Sequence, residues 1–131
     1  ANGIVATPDN GPLIVVNSAS GRLYTVDPDT AIATEIDLGG IEVPYGDGLV
    51  LRGETLYVVQ NLINQVSVFT LNSDYSAATY THSLTSGGFD TPSTADLFGP
   101  WLYVVNARFS KCMPLVYCSP ETEFNVIRID Q

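Results

Sequence analysis

Positive charge is scarce in this chain. Over 131 residues, 5 Lys and Arg stand against 14 Asp and Glu, with a single His, for a formal net charge of −9. So few cations cannot neutralise a run of phosphates, which argues against nucleic acid as a partner. They also give no hold on an anionic membrane surface. No apolar run approaches the roughly 18 residues that span a bilayer. The opening residues Ala1-Asn2-Gly3 lack an initiator Met, a basic stretch and an apolar stretch, so the chain reads as a mature or trimmed product of a larger precursor. Cysteine is limited to Cys112 and Cys118. A structural zinc site needs about four ligands, more than these and the one His supply, and the C-x-x-C redox spacing is absent. The pair reads instead as a disulfide closing a small Pro-containing loop, which points to a secreted protein. No Asn-x-Ser/Thr sequon accompanies it.

Apolar residues make up 45% of the chain. That is enough for a core, and the length fits one domain or a piece of one. The main organising feature is internal repetition. Leu13-Ile14-Val15-Val16-Asn17, Leu56-Tyr57-Val58-Val59-Gln60 and Leu102-Tyr103-Val104-Val105-Asn106 match one another at offsets of 43 and 46 residues. Ahead of each lies a further apolar stretch and a tight turn: Gly3 to Thr7 with Pro8 to Gly11, Gly48 to Leu51 with Arg52 to Glu54, and Thr94 to Phe98 with Gly99-Pro100. After each comes an alternating run, Arg22 to Val26, Gln65 to Leu71 and Phe124 to Asp130. The first two units continue into a fourth run, Ala33 to Asp37 and Ala77 to Thr81.

β-Branched and aromatic runs bounded by Gly, Pro, Asn and Asp predict strands, and no segment carries a helical period. Four antiparallel strands in about 40–45 residues is the pattern of a propeller blade. The chain is therefore expected to be all-β, with three four-stranded blades at about 1–40, 41–88 and 89–131. Propellers close with about four to eight blades, so three form an open half with uncovered apolar flanks and unpaired edges. A second half is expected: the N-terminal half of the same precursor, or a second copy of this chain.

The innermost strand of each blade lines a propeller's axis. Its lead-in positions here are Asn2, Asp47 and Ser93. An Asn amide oxygen and an Asp carboxylate converging on one axis are hard oxygen donors, suited to Ca²⁺ first and then to Mg²⁺, Mn²⁺ or Zn²⁺. The plainer reading is that Asn-Gly and Asp-Gly are ordinary turn pairs. Asn17, Gln60 and Asn106 recur at the end of the second strand. They read as caps on the following turn or, with Ser93, as a polar ring at the channel mouth. His82 falls in an outer strand with Ser83 pointing to the opposite face, so no catalytic Ser–His pair is expected. Tyr24, Tyr57, Tyr103 and Trp101 read as packing residues.

Asn2-Gly3-Ile4-Val5-Ala6-Thr7, running on to Val15-Val16-Asn17-Ser18, and Gly46-Asp47-Gly48-Leu49-Val50, running on to Leu56-Tyr57-Val58-Val59-Gln60-Asn61, resemble consecutive blades of the SMP-30/gluconolactonase/LRE-like family. Phe89 to Thr94 with Leu102 to Phe109 resembles the closing part of secreted members. The resemblance covers nearly the whole chain but only the C-terminal half of a family member. It implies a six-bladed propeller with one axial divalent metal and hydrolysis of lactones or related esters. Asn2 matches the family's second Asn ligand. Asp47 matches its Asp, which is both a ligand and the general base. The family's Glu and first Asn belong to earlier blades with no counterpart here. Two functions follow as expectations: a metal-dependent lactonase-like hydrolase, active once completed by a second half, or a non-catalytic binding or structural module of a secreted protein.

Overall fold

The computed structural model of the chain describes residues 1–112 and 118–131. It is built from three antiparallel sheets. The first holds β1 (Ile4–Ala6), β2 (Leu13–Asn17), β3 (Arg22–Val26) and β4 (Ala33–Glu35); the second holds β5 (Gly46–Arg52), β6 (Thr55–Gln60), β7 (Gln65–Leu71) and β8 (Ala78–Thr85); the third holds β9 (Pro92–Phe98), β10 (Trp101–Asn106) and β11 (Asn125–Asp130). Within each sheet, consecutive strands are hydrogen-bonded neighbours, and short turns join β2 to β3, β5 to β6 and β6 to β7. Asp9 and Asn10 make the β1–β2 turn with φ of 58° each, a left-handed conformation that short Asx side chains tolerate. The only helical element among the described residues is the 3₁₀ turn Phe109–Lys111.

The third sheet has three strands rather than the four expected of every unit. Its β10–β11 connection, residues 107–124, is far longer than Ser18–Gly21, which joins β2 to β3. It also carries the disulfide Cys112–Cys118, a bond that persists in oxidising compartments. The fourth strand of the first sheet is shorter than expected: Asp37 leaves it to form an isolated parallel bridge with Ala77 beside the second sheet.

The second sheet is buried on both faces. Leu49, Leu56, Val58, Phe69 and Leu71 pack against Ile14, Val16 and Leu23 of the first sheet. Val50, Tyr57, Val59, Val66 and Val68 pack against Leu102 and Val104 of the third, with Leu97, Ile127 and Ile129 at the margin. Each such side chain contributes about 1.5–3 kcal/mol through burial. Buried on both sides, the Val-Val strands lose the polar alternation of a one-sided sheet.

Among the described residues, the outer sheets each leave one apolar face uncovered. Ile4, Val15 and Tyr24 stand in register on the far face of the first sheet, with Ile4 58% exposed. On the third sheet, Phe98 is paired with Trp101 and Val105 with Val126, and Phe98 is 78% exposed. Arg128 lies over the Trp101 ring at 4.4 Å, a cation–π contact on that open face.

Candidate functional site

The first strands of the three sheets meet through glycine. A Cβ on Gly3 would lie 1.9 Å from the carbonyl oxygen of Asp47, and a Cβ on Gly48 would lie 2.6 Å from the Cα of Thr94 and 2.9 Å from the carbonyl oxygen of Ser93. No side chain fits at either place, so these backbones abut only because residues 3 and 48 lack one. The three lead-in positions, Asn2-Gly3, Asp47-Gly48 and Ser93-Thr94, are thereby brought side by side at one end of the sheets.

The side chains there form a polar cluster. Asn2 Nδ2 donates to Ser18 Oγ at 3.1 Å, and the Ser18 hydroxyl donates in turn to the carbonyl of Gly46. Asn61 Nδ2 donates to Asp47 Oδ2 at 3.0 Å, while Asn61 Oδ1 accepts from the Leu62 amide at 2.7 Å. Burial pushes the Asp47 carboxyl above its ordinary value, and the Asn61 and Asn2 amides act in the opposite sense. Ser93 is half-buried beside Gly48.

Ser18 and Asn61 are not singled out by sequence reasoning. Both lie one position beyond the recurring Asn17 and Gln60. The signal was present in the repeat, where Ser18, Asn61 and Ala107 occupy equivalent positions and two of them are polar.

The three recurring polar residues are committed elsewhere. Asn17 Oδ1 accepts from the amides of Ala19 and Ser20 and so caps the β2–β3 turn. Gln60, 1% exposed, donates to the carbonyl of Pro44 and accepts from Ser67 and Gln65. Asn106, fully buried, accepts from the Asp90 amide and donates to the Gly88 carbonyl and to Asn125 Oδ1. Gln60 and Asn106 thus tie each second strand to the segment leading into the first strand of its own sheet. They hold the loops that present Asp47 and Ser93. His82 is exposed on β8, with Nδ1 3.1 Å from Thr81 Oγ1. Tyr57 reaches Gln131 Oε1 through its hydroxyl at 2.8 Å.

Beside this cluster lies an open cleft of about 390 Å³ between the β6–β7 turn and the start of the β10–β11 connection, lined by Asn61, Leu62, Asn64, Asp90, Thr91, Phe109 and Ser110. Asp90 is held by Arg108 Nε at 3.1 Å.

The cluster's chemistry is that of oxygen donors. Asn2 engages Ser18 through its nitrogen and has an amide oxygen of the kind that ligates hard cations. Asp47 has one oxygen on Asn61, and the Asn2 amide also faces its carboxylate. This fits a hard divalent ion in kind and fills part of a shell of six or so oxygens. No group of three or more His, Cys, Asp and Glu that could hold a metal occurs among the described residues. No helix among them is long and apolar enough to cross a membrane. No protein-family model matches the chain, and no curated protein matches it.

Proposed function

We propose that this chain is half of a closed β-propeller of the SMP-30/gluconolactonase/LRE-like kind, and that the Asn2–Asp47 cluster is its half of an axial site for hydrolysing lactones or related esters. The observation that carries this reading is the glycine-mediated abutment of the three strand starts, which sets Asn2 beside Asp47. Three successive antiparallel sheets, each meeting the next through its first strand, support the propeller. The uncovered faces at Ile4 and Phe98 support a missing complement, either an N-terminal half of a common precursor or a second copy of the chain. The disulfide supports secretion.

Asn2 Oδ1 and Asp47 would hold the ion, with Ca²⁺ the best match and Mg²⁺, Mn²⁺ and Zn²⁺ also compatible. The complementary half would supply the remaining ligands. A divalent cation bound there supplies positive charge that polarises a lactone carbonyl. Asn61 steers the Asp47 carboxylate by holding Oδ2, and a carboxylate that holds the ion only loosely would take a proton from an attacking water. Ser18 fixes the Asn2 amide by accepting from its Nδ2.

A second reading is a non-catalytic module. The observation favouring it is that Asp47 is the one carboxylate in the described cluster. Metal analysis of the purified assembly, paired with a lactone-hydrolysis screen, separates the two. Bound metal with turnover, lost by about a hundredfold or more in Asp47→Ala and Asp47→Asn, supports the hydrolase. Unchanged turnover in both variants, or an assembly with neither metal nor turnover, overturns it.

A further inference from the structure

We infer that the cleft beside the axial cluster is the seat of a substrate's apolar tail, so that the favoured substrates are lactones or esters bearing an alkyl chain rather than polar sugar lactones. This rests on the hydrolase reading above and adds the substrate class. Three observations converge. The cleft adjoins the cluster through one residue, since Asn61 both donates to Asp47 Oδ2 at 3.0 Å and lines the cleft. Its walls carry Leu62 and Phe109, which are 60% and 44% exposed, and water-facing apolar side chains at a concave site are the surface that an alkyl chain desolvates. Its charge is already matched, because Asp90 is engaged by Arg108 Nε at 3.1 Å and by the Ser110 hydroxyl at 3.3 Å. Among the described residues that line it, none is a cation that could recruit an anionic group.

The cleft also has a fixed frame. Asn64 Oδ1 accepts from the Thr91 amide at 2.9 Å, which pins the β6–β7 turn to the segment leading into β9. The Arg108 amide donates to the Asp90 carbonyl at 3.1 Å, which pins the start of the β10–β11 connection to that same segment. Leu62 and Phe109 are thus held across from each other by backbone and side-chain bonds that involve neither of them. Truncating either one removes apolar surface without cutting those bonds.

The test uses the purified assembly with two neutral probes, γ-butyrolactone and γ-decalactone, followed by direct binding and by hydrolysis, and the variants Leu62→Ala and Phe109→Ala. The expected result is binding of γ-decalactone at least about tenfold tighter than γ-butyrolactone, with each variant weakening the decalactone about three- to tenfold and leaving the butyrolactone unchanged. In hydrolysis the variants raise KM for the long chain and leave kcat alone. Tail binding without turnover supports the cleft while overturning the hydrolase reading. Turnover with chain-length-independent KM, insensitive to both variants, overturns the cleft while leaving the Asp47 reading intact. Binding of neither probe overturns the cleft. So does capture of the chain by phosphatidylcholine vesicles through Leu62 and Phe109 in place of the lactone.

Discussion

Asp47 lies half-buried between two amides, and ionisation is harder there than for an exposed carboxyl because burial outweighs the Asn61 and Asn2 hydrogen bonds. A carboxyl raised above 3.8 keeps its proton in the folded chain at pH values where the unfolded chain has lost it. Its contribution to stability is therefore intact below 3.8 and declines as pH climbs through the folded value. Asp47→Asn removes that decline. In chelator at neutral pH the variant is expected to melt higher than the parent, with the difference vanishing in acid. Thermal melts across a pH series check this, and a lower melting temperature for the variant at pH 7 would contradict it. The glycines flanking the cluster make a second residue-scale prediction. Gly3→Ala and Gly48→Ala drive a Cβ to within 1.9 Å and 2.6 Å of backbone, and each is expected to cost about 3 kcal/mol or more. Gly87 has open space around it, so Gly87→Ala is expected to change stability by less than about 1 kcal/mol. Denaturant midpoints compare the three.

At the scale of elements, the asymmetry between the middle sheet and its neighbours sets where mutations hurt. Phe69 on β7 is fully buried, packed edge-on to Tyr80 with ring centroids 5.7 Å apart. Phe98 on β9 is 78% exposed. Phe69→Ala is expected to lose about 3–5 kcal/mol, whereas Phe98→Ala in the isolated chain loses less than about 0.5 kcal/mol. Urea unfolding of both variants provides the comparison, and equal losses would mean that the face at Phe98 is already covered. The strands carrying the repeated Leu-x-Val-Val signal were legible in the sequence. Leu13–Asn17, Thr55–Gln60 and Trp101–Asn106 form the second strand of each sheet. The strand edges were less so. β8 runs to Thr85, past the expected Thr81, while β4 stops at Glu35. Composition does not distinguish a Thr- and Ser-rich outer strand from a loop, and ladder hydrogen bonds to β7 made the choice.

For the whole molecule, the uncovered faces point to the same repeat geometry as the covered ones. Leu56 and Val58 face the preceding sheet, and Tyr57 and Val59 face the following one. Leu13 and Val15 occupy the former register on the first sheet, and Tyr103 and Val105 occupy the latter on the third. A complement seated on both faces, as proposed, would continue that packing. The native particle is therefore expected to have about twice the chain's mass if a second copy or a half of similar length supplies it. Val15→Asp or Val105→Asp is expected to reduce it to the single chain. Size-exclusion chromatography with light scattering reads this out. A folded, soluble wild-type monomer would remove the need for any complement.

The sequence by itself determined that the chain is all-β and repeats three times, because period-two apolar runs and turn residues are local properties that need no partner to be recognised. It also marked Asn2, Asp47 and Ser93 as equivalent, since they hold the same place in each repeat. Only the tertiary structure decided what surrounds them. Ser18 and Asn61 became partners of Asn2 and Asp47 because the turn after each second strand comes back against the start of its own sheet and the next. Gln60 and Asn106 turned inward for the same reason. Which polar group meets which across tens of residues is set by how sheets pack, and sheet packing is a long-range balance of burial and close backbone approach that no stretch of sequence contains alone.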